Sequence, residues 1–233
     1  MPSIKIVTDS TSDIPPALAS ELGVDIVPLN VSFGAENFKD RVDLDSQGFF
    51  RRLRESSESP RTSLPSPGDF IAFYEKIAGD FDTIVSIHIS SSLSGTLQSA
   101  RAAAANFTGS DIVTVDSGTV ASALMLVVVR AARNAAAGQD RDTLMAGLER
   151  DISRAGILFG VDTLAYLQRG GRIGMSGHLV GSMLNIKPIL MVNKEGKIET
   201  ASKVRSKKKA LKKAIELIKE RPEPPEIAAV GHA

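Results

Sequence analysis

The chain has 233 residues, 42% of them hydrophobic and 24% charged, with a net charge of +1. That length can bury a substantial core as one large domain or two small ones, and the near-neutral balance argues against a nucleic-acid partner. There is no cysteine, which excludes disulfides, thiolate metal sites and cysteine catalysis and suits a reducing, cytoplasmic setting, and with no Trp and 5% aromatics a base-stacking surface is disfavoured.

The chain opens with a short β-branched run, Ile4–Thr8, rather than a signal peptide. Asp9–Asp13 is a polar turn, and Pro15 and Pro16 suit the first turn of a helix reaching Leu22. Asp25–Phe33 reads as a second strand and Asp45–Arg54 as a helix. Glu55–Pro67, rich in Ser and Pro, reads as a loop. Asp69–Ala78 has helical apolar spacing, Thr83–Ile89 is a strand, and Ser92–Asn106 is an Ala-rich helix behind a polar cap. Asp111–Val115 is a strand, followed by a long helix, Ser117–Ala137, that stops at Gly138. Its apolar stretch, Val120–Val129, is too short to cross a bilayer and reads as a buried helix.

Strands alternating with helices predict an α/β fold, a Rossmann-like parallel sheet with helices on both faces, over residues 1–153. Beyond Gly138 the pattern changes, and the domain boundary is placed near Arg154. Asp140–Arg154 is a helix, Ile157–Val161 a strand, Thr163–Gln168 a short helix, Arg169–Gly174 a glycine-rich turn and Ser176–Leu184 a small-residue helix. Ile186–Val192 and Lys197–Ala201 form a hairpin, Val204–Lys219 is a basic amphipathic helix, and Glu226–Val230 is a last strand. Residues 154–233 are thus expected to be a smaller α/β domain with a mixed sheet, one that looks cut short at its C-terminus.

Ligands of parallel sheets sit at the carboxyl ends of the strands, and three of those ends are rich in hydroxyls. The densest is Ser90–Thr96. Helix N-termini present unpaired N–H groups to anions, and hydroxyls add donors without charge, so this turn suits a carboxylate or a phosphate; simple helix capping by Ser92 or Ser94 is the plainer reading. Arg61–Pro67 either lays Thr62 and Ser63 over that turn or is a surface linker. Gly170–Gly174 lacks the spacing of a dinucleotide loop or a P-loop, so Arg172 either faces an anion or belongs to a tight turn. The basic run Lys203, Arg205, Lys207, Lys208, Lys209, Lys212 and Lys213 is a solvated helix face or a dock for an acidic partner. His88, His178 and His232 show neither metal-ligand spacing nor a nucleophile elbow. Asp9 and Asp116 stand at strand ends, as general bases or as turn caps.

Seven blocks, in order, resemble the DegV family. They are Val7–Asp13, Thr62–Phe70, Ser91–Ala100, Asp116–Ser117, Leu167–Ile173, Leu184–Leu190 and Val204–Ala210. The resemblance implies a two-domain protein that binds a long-chain fatty acid such as hexadecanoate between its domains, without turnover, cofactor or metal of its own. It implies that Thr62 and Ser94 hold the carboxylate, with Ser63, Ser92 and Gly95 beside them and Arg172 and Arg205 near the head group or a partner. The implied partner is a fatty-acid kinase subunit, with membrane contact only transient. An enzyme that uses the serine turn as the phosphate site for a small phosphorylated substrate is the alternative.

Overall fold

A computed structural model of the chain describes residues 3–105, 107–182 and 186–231. Two compact units are present, Met1–Ala155 and Gly156–Ala233.

The first unit runs β1 (Ile4–Asp9), α1 (Pro16–Glu21), β2 (Asp25–Val27), β3 (Asn30–Phe33), β4 (Glu36–Lys39), α2 (Ser46–Glu55), β5 (Arg61–Ser63), α3 (Pro67–Ile77), β6 (Thr83–His88), α4 (Thr96–Ala104), β7 (Asp111–Asp116), α5 (Ala121–Ala136) and α6 (Arg141–Arg154). Its main sheet is parallel throughout, in the order β2-β1-β6-β7. Every residue of β6 is buried, as expected of a central strand covered on both faces. Val7 is in register with Ser86, and Lys5 with Ile84. Side chains alternate across a strand, so Val7 and Asp9 share a face with Ile84, Ser86 and His88. On that face Val7 and Ile84 pack with Phe70 and Tyr74 of α3 and Ala100 and Ala103 of α4. The opposite face, with Ile6, Val85 and Ile87, is equally buried, and α5 packs along β1.

Three segments of this unit depart from the sequence reading. Asp25–Phe33 is not one strand. Pro28 has no N–H for a ladder, and the chain breaks there. β2 joins the parallel sheet, whereas β3 starts a separate antiparallel sheet in the order β4-β3-β5. A two-residue turn, Gly34-Ala35, links β3 to β4, with Gly34 at φ +59. The segment read as a loop, Glu55–Pro67, contains β5, which pairs with β3 through Val31 opposite Thr62. Prolines flank β5, and the composition therefore looks irregular although an edge strand tolerates them. The helix expected from Ser117 begins at Ala121, because Gly118 at φ +60 and Ala121 at φ +54 turn the chain first.

The second unit holds β8 (Leu158–Gly160), α7 (Ala165–Arg169), a 3-10 segment (Gly174–Ser182), β9 (Lys187–Val192), β10 (Ile198–Val204) and α8 (Lys207–Lys219). Its sheet, in the order β10-β9-β8, is antiparallel in every described pair rather than mixed. No strand forms over Glu226–Val230. No backbone ladder reaches that segment among the described residues, and Val230 is 99% exposed. The small-residue helix is instead a 3-10 run, consistent with glycines at 174 and 177 that weaken an α-helix. Gly174 is required where it stands: a Cβ there would lie 2.1 Å from the Ile198 carbonyl oxygen. Asn106, Leu184, Asn185 and His232 lie outside the described residues. Among the described residues no helix is long and apolar enough to cross a membrane.

Candidate functional site

The hydroxyl turn follows β6 directly and hangs on Ser90. The Ser90 N–H donates to the Thr119 carbonyl at 2.8 Å. The Ser90 carbonyl accepts from the N–H of Leu93 (2.9 Å) and Ser94 (3.1 Å), and its hydroxyl accepts from the Ser92 N–H at 3.2 Å. Ser91 leans the other way. Its N–H and its hydroxyl both donate to the Asp116 carboxylate at the end of β7, the hydroxyl at 2.5 Å. Asp116 also takes the Gly118 N–H at 2.9 Å, so it ties two strand-end turns together and acts as a cap rather than a base.

Ser94 is half-buried, and its Oγ bonds the Thr96 hydroxyl at 2.8 Å and accepts the Thr96 N–H at 3.3 Å. Part of the hydroxyl set is therefore used in a local turn, while α4 itself has Gly95 at its N-cap and no side-chain cap, so the plainer reading of Ser92 or Ser94 as a helix cap does not hold. Gly95 and Ser92 are exposed. Gly95 precedes the first residue of α4, a nine-residue helix whose early N–H groups favour an anion.

Thr62 and Ser63 are both exposed on β5, held on one side by the β3 ladder. On the other side Ser66 and Asp69 form a reciprocal capping box at the start of α3, with the Asp69 carboxylate accepting the Ser66 N–H at 2.8 Å. The Ser66 hydroxyl and N–H, with Lys39 nearby, hold the Asp69 carboxyl below the usual range against a small opposing effect of burial. Between these two fixings lies Leu64, 40% exposed, whose Cδ2 would stand 3.1 Å from a Cβ on Gly95. The residue that follows β5, Leu64, thus lies against Gly95 of the hydroxyl turn. Asn30 adds an amide hydrogen bond to the Leu64 carbonyl at 3.4 Å. The Leu64–Gly95 contact was not foreseen; the pairing of a glycine in one polar segment with a lone leucine in the other is its only trace in the sequence.

Arg172 and Arg205 belong to the second unit and are exposed. The Arg172 guanidinium turns back on its own loop and donates to the Gly170 carbonyl at 2.5 Å. Of the apolar residues of this unit, Leu164, Leu179 and Ile189 are 1%, 3% and 2% exposed and form its core. Lys207 pairs with Asp162 at 2.9 Å, and His178 accepts or donates at 3.1 Å with Lys203.

Beneath the hydroxyl turn runs a buried polar chain. The Tyr74 hydroxyl donates to Ser86 Oγ at 2.9 Å, Ser86 Oγ lies 2.7 Å from His88 Nε2, and His88 Nδ1 lies 2.9 Å from Asp9 Oδ2. Asp9, Ser86 and His88 have the connectivity of a hydrolytic triad. All three, with Tyr74, are fully buried, so no substrate reaches them. Burial raises the Asp9 carboxyl, but the hydrogen bonds it receives from His88, Thr11 and Ile89 oppose this, and Asp9 stands below the ordinary carboxylate range. Among the described residues no three His, Cys, Asp or Glu side chains converge as a metal site.

A parallel α/β unit whose strand ends carry hydroxyl turns is a ligand-binding architecture, with the ligand at the carboxyl ends of the strands. The model of the family described as "Uncharacterised protein, DegV family" matches residues 3–233, and the chain belongs to that family. A DegV domain-containing protein of Deinococcus radiodurans is 43% identical over 209 residues, which cover 90% of this chain and 74% of that protein. The solved structure of a fatty-acid-binding DegV family protein from Thermus thermophilus is similar at a TM-score of 0.86 and 38% identity, over 94% of this chain and 77% of that one. That of DegV, a fatty acid binding protein from Bacillus subtilis, also matches at a TM-score of 0.86, with 33% identity over 94% of this chain and 78% of that one.

Proposed function

We propose that this chain binds a long-chain fatty acid and that hydroxyls of the Ser90–Thr96 turn and of β5 hold its carboxylate. Ser94 and Thr62 are the principal donors, with Ser63, Ser92 and the backbone around Gly95 beside them. The observation that supports this reading is the packing of Leu64, the residue after β5, on Gly95 at the start of α4. The fatty-acid-binding relatives of the same fold support the ligand class. Neutral hydroxyls at a helix N-terminus bind an anion without burying a cation.

The acid's tail sets the affinity. Each buried methylene is worth roughly 0.8 kcal/mol, so a sixteen-carbon tail supplies on the order of 10 kcal/mol gross. A hydrogen bond to a charged group nets about 1.5–3 kcal/mol, so the hydroxyls set orientation and a smaller part of the affinity. The role is binding rather than turnover. The titratable groups nearest the turn are already committed: Asp9 and Asp116 accept backbone N–H groups, and His88 is buried. The bound acid is presented to a separate acidic kinase partner, with the lysines that open α8, and Arg172 and Arg205 of the same unit, as its docking charge.

Mass spectrometry of lipids extracted from the purified protein tests this reading. A stoichiometric fatty acid is expected. A chain that carries none and takes up none on incubation contradicts it.

A further inference from the structure

Among the described residues, four donors meet the Asp9 carboxylate. Oδ1 accepts the Thr11 N–H at 3.0 Å and the Thr11 hydroxyl at 2.5 Å. Oδ2 accepts the Ile89 N–H at 3.0 Å and faces His88 Nδ1 at 2.9 Å. The proton on the imidazole follows from the rest of the chain. Tyr74 donates to Ser86, which leaves the single Ser86 hydrogen for His88 Nε2. Nε2 is then an acceptor, and the ring carries its proton on Nδ1 and gives it to Asp9. A proton on Nε2 as well would reverse the Ser86 hydroxyl and set it against the Tyr74 hydroxyl. The Phe70 ring packs edge-on against the imidazole, 5.2 Å away at 88°, and holds its plane.

Ile89 is the residue between β6 and the hydroxyl turn. Its N–H is anchored on Asp9 from the β1 side, and the next N–H, of Ser90, is anchored on Thr119 from the β7 side. Ser90 then carries the N–H groups of Ser92, Leu93 and Ser94. The position of Ser94 is therefore inherited from two anchors, and one of them is Asp9.

We infer that His88 is a positioning residue for the hydroxyl turn: held as the neutral Nδ1–H tautomer by Ser86, it fixes the Asp9 carboxylate that anchors Ile89 and, through Ser90, sets where Ser94 stands. This rests on the reading of the turn as the carboxylate site only for its consequence in binding. The buried constellation that looks like a nucleophilic triad is instead a scaffold one residue behind the site. Tyr74 at its far end gives the chain its direction, and Ser86 is a hydrogen-bond relay rather than a nucleophile.

The test has two parts, and neither needs lipid. In the ¹⁵N-labelled wild type, His88 Nδ1 should carry the proton and Nε2 should not. A proton on Nε2 overturns the inference. In His88→Gln, amide exchange at Ile89, Ser92 and Ser94 should quicken about tenfold or more relative to amides of β9 in the second unit. Exchange within about twofold of wild type at those three amides overturns it. Equal quickening at amides of α6, in the same unit, means general loosening and also overturns the inference. Should His88→Gln not fold, the tautomer in the wild type decides. Affinity for a fluorescent fatty acid such as cis-parinaric acid is expected to fall about tenfold in His88→Gln. A wild type that binds none contradicts the proposed function, while the tautomer and the amides still decide on His88.

Discussion

Leu64 rests on Gly95: a methyl added to Gly95 would stand 3.1 Å from Leu64 Cδ2. Gly95 has φ −75, so the backbone itself accepts any residue there, and the constraint is space alone. The obstructing atom is the end of a flexible, half-exposed side chain. Gly95→Ala is expected to cost less than about 1 kcal/mol of stability, because Leu64 can yield. It should weaken fatty-acid binding severalfold, because Leu64 and β5 must shift away from Ser94. Thermal melts beside lipid titrations check this, and a variant with unchanged affinity would mean that the close approach does not shape the site.

Asp9 links stability to acid. A carboxyl held below its unfolded value contributes stability that is complete above about pH 3.9 and is lost as pH falls through the lower folded value. Asp9→Asn places an NH₂ group among four donors. It is expected to cost about 3 kcal/mol at neutral pH. The gap between wild type and variant in urea unfolding should narrow as pH drops from about 6 to about 3. A gap independent of pH would contradict the ionised Asp9.

Tyr74 works at the other end of the scale. Burial pushes its hydroxyl up to about 12, with the Ser86 contact drawing it partly back. A raised folded value contributes stability that is complete below the unfolded value of about 10 and is lost as pH rises towards the folded one. Wild type should therefore lose stability between about pH 10 and 12 more steeply than Tyr74→Phe. Parallel alkaline unfolding curves would count against a buried phenol.

Lys207, Lys208 and Lys209 open α8, whose first turn has no acidic residue. Cations at a helix N-terminus oppose the macrodipole, so Lys208→Glu with Lys209→Glu should raise stability by about 0.3–1 kcal/mol. The same change should slow association with an acidic kinase partner and spare lipid binding. Stopped-flow encounter rates and lipid titration separate the two, and equal loss of both would mean disruption of the unit instead.

The parallel unit was legible because its strands are short β-branched runs between helices with clear caps and stops. Where one residue decided the outcome, local pattern misled. Pro28 splits an apparently continuous strand between two sheets, and β5 hides in a Ser- and Pro-rich stretch because its pairing with β3 is a non-local choice. Glu226–Val230 has strand composition but no ladder to join among the described residues. The candidate site was readable as two hydroxyl segments, through their residue types and the family resemblance. That Arg61–Pro67 lies over the turn was one of two open readings; the contact of Leu64 with Gly95, across 31 residues of chain, had no local signal. The Asp9–His88 bond spans 79, and although alternation places Ser86 and His88 on one face, nothing local shows that Asp9 and Tyr74 complete the chain.

The most direct measurement is the ¹³C carboxyl resonance and affinity of [1-¹³C]hexadecanoate bound to wild type and to Thr62→Ala with Ser94→Ala. The account predicts that the double variant folds, that its affinity falls about 10- to 100-fold, and that the carboxyl resonance moves towards that of the free acid. A folded double variant with the wild-type resonance and affinity would contradict the assignment of the head group to these hydroxyls.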